Sequence, residues 1–410
     1  MKLNLPAHNL FSNLPVPIEF PDSWDVRIHT YHGADAAGLT REEIAQALRA
    51  PSGGVPIAQD ARGCKTAVII VDDITRPTPA ENIAKEVIAQ LEEAGLERKN
   101  IHFMFALGMH RSMSRDEYIL KLGEEIVSEF RIYNHNPFFN NIRVGVTSTG
   151  IPIELNADCV AADYKVGIGT LVPHPHTGIA GGAKLIVPGI ASAETIRRYH
   201  LQPAHRWDLG TPGRKITVEA ADMLGLNCKI DVLLNGHGEV ARLVAGSCRD
   251  NLEKNYDEIV RFYTVPRPEP AELVVANNYF KPSEPDASSC YPSFYSLIKP
   301  GGQLVVSAHT PLGAIPHYMF GRWGENCIGG LLYTGERKLP KDISCYVAFS
   351  RYMDRGTAVL YHYDDSDPRV HWARKWEEVI EILGHKDRSV LVLPYTIVPY
   401  FDPPLQMDQN

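Results

Sequence analysis

Apolar positions along this chain come in short unbroken runs separated by amphipathic stretches. Thr66–Val71 (TAVIIV) is such a run, β-branched and too short for a helix, and it predicts a strand buried on both faces. Asn82–Ala94 is amphipathic and is closed by Gly95, which predicts the helix that follows. Ile101–Leu107 predicts the next strand, and Arg115–Leu122 a helix with Ser114 as its cap. Lys165–Gly169, Ala271–Ala276 and Gln303–Ser307 read as further strands, Glu377–Leu383 as a late helix and Ser389–Leu393 as the strand after it. This alternation predicts an α/β protein with mainly parallel sheets. Tyr263–Pro270 (YTVPRPEP) holds three prolines in eight residues and reads as an interdomain linker. Two domains are therefore expected: residues 1–266 as an N-terminal α/β domain, and residues 271–394 as a Rossmann-like one, with a tail over 395–410. The active site is expected in the cleft between them, a usual place for small ligands.

Composition narrows the function classes. The 410 residues are 44% hydrophobic and 22% charged, as in ordinary globular chains. A net charge of −8 leaves no basic footprint for nucleic acid. No apolar run reaches the length of a membrane helix, and the N-terminus is interrupted by prolines and polar residues where a signal peptide would be apolar. The seven cysteines are scattered, with no CxxC pair, and read as free thiols in a reducing cytoplasm.

Candidate chemistry concentrates in Leu171–His200, LVPHPHTGIAGGAKLIVPGIASAETIRRYH. Gly178, Gly181 and Gly182 let backbone approach a bulky ligand. Lys184 follows in an apolar setting, where a partly desolvated amine is a better nucleophile. Pro188-Gly189 predicts a turn, and Ser192 caps a helix that ends near Tyr199-His200. His174 and His176 would share a face of an extended segment, a form favoured by Pro173 and Pro175. The string is not a phosphate loop, because Ala183 separates glycine from lysine and Leu185 stands where Ser or Thr is required.

Ligands of open parallel sheets bind beyond the carboxyl ends of strands. Asp72-Asp73-Ile74-Thr75-Arg76-Pro77 follows the first strand, and Gly108-Met109-His110-Arg111 the second. Arg76 suits a forked contact to a carboxylate. The alternative reading of Asp72 and Asp73 is as caps of the next helix, and that of His110 is as a surface loop residue.

DDITRPTP, the GMHR loop, Asn134-His135 and above all PHPHTGIAGGAKLIVPGIASAETIRRYH resemble the nickel-dependent lactate racemase family, over roughly residues 65–250. His174 lies ten residues before Lys184 and His200 sixteen after it, as in the family pattern. The resemblance implies a nickel-pincer nucleotide, a pyridinium mononucleotide with two thiocarboxylate arms, joined to Lys184 through a thioamide. It implies His200 as the protein ligand to nickel, and His110 and His174 as acid/base groups on either side of the substrate. Asp73, Ile74, Thr75 and Arg76 match the motif that holds the cofactor, and Arg76 also the substrate. The implied reaction is racemisation or epimerisation of a 2-hydroxy acid, with enzymes of cofactor synthesis as partners. The C2 hydrogen beside a carboxylate is a very poor acid. Its removal as hydride, while a histidine takes the hydroxyl proton, gives a neutral 2-keto acid instead. Two enantiomers then call for two bases. His176 competes with His174 for the proton role, and His135, His205 and His237 read as structural.

The C-terminal third departs from the lactate pattern. Lactate racemases carry a glutamine and a lysine three apart there, whereas this chain reads NNYFKPSEPDASSCYPSFYSLIKPGG. Lys281 is the expected replacement charge for the substrate, with Tyr279, Ser283 or Asp286 lining the pocket, and the expected substrate is larger or more polar than lactate. Trp372 and Trp376 read as core or surface residues. Two other functions compete. LIKPGGQLVV resembles the late turn and strand of methyltransferase-type Rossmann domains, which implies a transferase with a nucleoside cofactor. A catalytically inactive homologue that only binds a ligand is the other.

Overall fold

The protein is described by a computed structural model over residues 1–7, 10, 15–174, 176–202, 208–283, 292–313, 315, 339–353, 366–396 and 400–402. The chain divides into two compact units, Asp35–Val260, and Met1–Ala34 together with Arg261–Asn410.

The unit Asp35–Val260 is built on a six-stranded sheet. Its strands are β1 (Ala67–Asp72), β2 (Ile101–Ala106), β3 (Arg131–Asn134), β4 (Tyr164–Thr170), β5 (Cys228–Leu234) and β6 (Val240–Gly246), in the order β6-β5-β4-β1-β2-β3. All neighbours are parallel except β5 and β6. Every residue of β1, β4 and β5 is buried, as central strands covered on both faces are, and this includes the charged Asp72, Lys165, Lys229 and Asp231. Helix α1 (Glu81–Glu93) turns Ile83, Val87 and Leu91 inward at helical spacing. Helix α2 (Arg115–Glu129) starts at a capping box between Ser114 and Glu117 and runs a full turn and more past its expected end, through a kink at Gly123, φ 80°. From β1 the chain winds outward through β2 and β3, then returns to lay β4 on the other side of β1. That reversal makes the carboxyl ends of β1 and β4 a topological switch point, where such sheets bind ligands.

The second unit carries another six-stranded sheet, all parallel, in the order Val370–Ala373, Cys345–Phe349, Ile298–Ser307, Ala271–Asn277, Ser389–Leu393, Asp25–Ile28. The first 34 residues therefore fold with the C-terminal sheet and not with the sheet that follows them. The reason is burial. Phe20 and Trp24 sink into this core, Phe20 packing edge-on against Trp376 at 5.3 Å, and the Trp376 indole donates to the Glu19 carbonyl at 2.7 Å. The proline-rich segment is also not a bare linker. Thr264–Pro266 forms a short parallel ladder with Tyr400–Asp402, and the division between units falls inside the helix Cys248–Tyr263. Among the described residues the cysteines are free thiols, and no helix is long and apolar enough to cross a membrane. Cys290, Cys327, His205 and Asp286 lie outside the described residues.

Candidate active site

Two turns leave the switch point from β1 and β2. In the first, Asp73 Oδ1 accepts the Thr75 amide at 3.0 Å and the Thr75 hydroxyl, folding the chain back on itself. Arg76 Nη1 donates to that hydroxyl oxygen at 2.5 Å, and Ile74 is buried. In the second turn Gly108, at φ +56°, donates its N–H to the Gly189 carbonyl at 2.9 Å, and the His110 ring ends up 9% exposed. The two turns meet where His110 Nδ1 donates to Asp73 Oδ2 at 2.5 Å. Burial would raise the Asp73 carboxyl. The His110 imidazole opposes this by charge and hydrogen bond, Arg76 and Thr75 add to it, and the net shift is below the ordinary carboxylate range. When the ring is neutral, the bond to Asp73 keeps the His110 proton on Nδ1 and leaves the lone pair on Nε2. Neither aspartate caps α1, whose N-cap is Ala80 with no side-chain bond. Arg111 is held by Glu117 through two bonds of 2.9 and 2.6 Å.

The chain beyond β4 forms a hairpin, Val172–His174 against Gly178–Ala180. His174 and His176 are not two apart on one strand. The chain turns at His176 and comes back at Gly178, whose φ of +69° a side chain would strain. The His176 amide instead donates to His174 Nδ1 at 3.1 Å, which directs His174 Nε2 to within 3.0 Å of the Lys184 amine. Lys184 stands on a 3-10 turn, Gly182–Leu185. Gly182 is required there, since a Cβ would meet the Arg214 guanidinium at 3.2 Å and the φ is +55°.

Helix α3 (Ala193–His200) supplies the third histidine. Ser192 caps it by accepting the Thr195 amide, and Glu194 pairs with Arg197 and Arg198. His200, at the last position, donates Nδ1–H to the Ile196 carbonyl at 2.9 Å, which places the ring's lone pair on Nε2. Burial first, and then the nearby His176, push His200 down to about 3, with smaller contributions from Lys184 and His110. The imidazole is thus neutral, as metal ligation needs. The ring of His176 lies 5.7 Å from that of His200.

The structure therefore brings together Asp73, Arg76, His110, His174, His176, Lys184 and His200 within one unit. Lys281 belongs to the second unit, where it is buried after Ala271–Asn277 beside Tyr279 and Ser283. Trp376 is core, and Trp372 lies on Val370–Ala373 under Arg374. Sequence reasoning missed two supporting groups, Lys121 and Asp231, and read His135 as structural. Lys121, fully buried, donates to Asp72 and to the Arg76 carbonyl. Asp231 accepts the Gly182 amide at 3.0 Å and the Lys229 ammonium at 2.7 Å. His135 donates Nε2–H to the Ala191 carbonyl at 2.8 Å, just before α3. One signal existed for Lys121: it follows Glu117 by four residues on the inward face of α2.

Fold and site define an α/β protein with acid/base and amine groups gathered at a topological switch point. Comparison with known proteins narrows this. The model of the lactate racemase N-terminal domain matches residues 11–210. A lactate racemase of Thermoanaerobacterium thermosaccharolyticum is 26% identical over 297 residues, 68% of each chain. A lactate racemase of Lactiplantibacillus plantarum is 30% identical over 173 residues, 42% of this chain and 40% of the relative. The solved lactate racemase apoprotein from T. thermosaccharolyticum superposes with a TM-score of 0.73 at 20% identity, covering 98% of this chain and 100% of that one. A protein from Thermotoga maritima gives 0.61 at 19% identity, over 87% and 99%. Residues 11–210 thus match the lactate racemase N-terminal domain, and the similarity to lactate racemases extends over 68% of the chain.

Proposed function

We propose that the protein is a racemase or epimerase of a 2-hydroxy acid that carries a nickel-pincer nucleotide on Lys184. The observation that carries this reading is the convergence of one amine, Lys184, with His174 at 3.0 Å and with the half-buried imidazole of His200. The residues fit the group. Lys184 is the nucleophile for a covalent tether, and His200 offers a neutral imidazole whose lone pair is on Nε2. When bound, the cofactor supplies a hydride acceptor and donor for C2 of the substrate.

The protein's own groups do the rest. Asp73 fixes the His110 tautomer, so that Nε2 accepts the hydroxyl proton of one enantiomer. His174, oriented by the His176 amide, carries the proton of the other enantiomer. Loss of hydride and proton together leaves a 2-keto acid, which takes hydride back on its opposite face. Arg76, its guanidinium anchored on Thr75, holds the substrate carboxylate. The substrate is a 2-hydroxy acid other than lactate. What supports this is the lack of a Gln-x-x-Lys pair after Ala271–Asn277, where Lys281 is the first cation in sequence. Cofactor-synthesis enzymes are the expected partners, in the cytoplasm.

Intact-mass measurement on protein made alongside those enzymes tests the reading. A gain of several hundred daltons that disappears in Lys184→Ala is expected, together with interconversion of at least one single-enantiomer 2-hydroxy acid by chiral separation. Protein that carries no adduct under those conditions points to a nucleoside-dependent transferase or a binding protein instead.

A further inference from the structure

Four charged side chains lie under the site with almost no access to water. Lys121 Nζ donates to Asp72 Oδ1 at 2.7 Å, and Lys229 Nζ to Asp231 Oδ1 at 2.7 Å. The side chains of Lys121, Lys229 and Asp231 are 0% exposed, and that of Asp72 is 11% exposed. The two pairs are neighbours. A Cβ on Gly169, in β4 between the strands that carry Asp72 and Asp231, would lie 3.4 Å from Asp72 Oδ2 and 3.4 Å from Lys229 Nζ. The charges thus alternate in a row, Lys121, Asp72, Lys229, Asp231, from the carboxyl end of β1 past Gly169 of β4 to the first half of β5. Thr78 closes the row from above, donating to Asp72 Oδ2 at 2.5 Å and lying 2.5 Å from the Thr170 hydroxyl.

Stability alone does not account for such a row, because buried ion pairs are commonly replaced by apolar residues at no loss. Its two ends do. At one end Lys121 bonds Asp72 and also the Arg76 carbonyl, at 2.9 Å. It therefore grips the first and fifth residues of the turn whose middle holds Asp73 and Thr75. At the other end Asp231 grips the Gly182 amide, two residues before Lys184.

We propose that Lys121 is a positioning residue, which sets the turn Asp72–Arg76 so that Asp73 meets His110 and the Arg76 guanidinium faces the substrate. This deepens the racemase reading and rests on it for its kinetic consequence, though its geometric part stands alone. Lys121 touches neither substrate nor cofactor. It acts through one ammonium with two acceptors, a bridge that methionine of similar length does not make.

The test is Lys121→Met in the full chain, compared with wild type by unfolding midpoint, by steady-state kinetics and by diethylpyrocarbonate labelling of histidines read at the peptide level. The expected result is His110 labelled several-fold faster relative to exposed His237, with kcat reduced about a hundredfold and the Lys184 adduct retained, as a displacement near 1 Å costs. A merely structural lysine would lower the midpoint and leave the His110 to His237 labelling ratio where it was. An unchanged ratio in folded protein overturns the proposal, and so does a raised ratio with unchanged kcat. Should Lys121→Met fail to fold, Lys121→Met with Asp72→Asn removes both charges of the pair and is read the same way. Absence of racemisation in the wild type would defeat the functional reading, while the labelling ratio would still decide the role of Lys121.

Discussion

Acid should weaken the unit Asp35–Val260 through one histidine outside the reacting groups. His135 is 2% exposed, donates to the Ala191 carbonyl at 2.8 Å, and has Asn156 Nδ2 at 3.5 Å from its Nδ1. Burial, partly opposed by the bond to Ala191, lowers it to about 4. Its value in the unfolded chain is about 6.5. Between these two values the unfolded chain binds the extra proton and the folded chain does not. The stabilisation is therefore complete above about pH 6.5 and is lost progressively as pH falls towards 4. At pH 5 the loss from this group alone comes to about 2 kcal/mol. His135→Gln keeps an N–H that reaches Ala191 and does not titrate. Pulse proteolysis across a urea series, reading peptides from Asp35–Val260 at about pH 7.5 and about pH 5, compares the two proteins. Wild type should lose about 2 kcal/mol more than the variant on acidification. Because the other buried histidines contribute equally to both proteins, equal losses would refute the argument.

His110→Ala and His174→Ala should each lower full racemisation by about 10²–10⁴ while the Lys184 adduct remains, and chiral chromatography showing normal turnover in either would remove that residue from the reaction. His200→Ala should lower the nickel found per chain by elemental analysis, and an unchanged metal content would assign the ligand elsewhere.

The strands β1, β2 and β4, the strands Ala271–Asn277 and Ser389–Leu393, the end of Ile298–Ser307, and the helices α1 and α3 were legible because each has a local signature: largely apolar runs for the strands, a glycine stop for α1, and a serine cap for α3. The strands β3, β5, β6, Cys345–Phe349 and Val370–Ala373 were not read from the sequence. The end of α2 was not, because Gly123 reads as a stop and the chain continues beyond it through a kink. The placement of Asp25–Ile28 in the far sheet was hidden for a different reason. Its partner Ser389–Leu393 lies at the other end of the chain, and nothing local encodes that pairing. Within the site, the histidines and Lys184 could be picked out from the motif that holds them. The Asp73–His110 bond and the His176 amide on His174 could not, since both depend on turns whose dihedral angles the composition of the loops leaves open.

The interleaving of the two units has a consequence for synthesis. Asp35–Val260 is one uninterrupted stretch, so every residue of its sheet has left the ribosome before the second sheet has more than its N-terminal edge strand. That edge strand, Asp25–Ile28, emerges almost first yet has no partner until Ser389–Leu393 is made almost last. The proposed reacting groups thus belong to the part of the molecule that can mature early, and an exposed strand must wait through nearly the whole of translation for its neighbour.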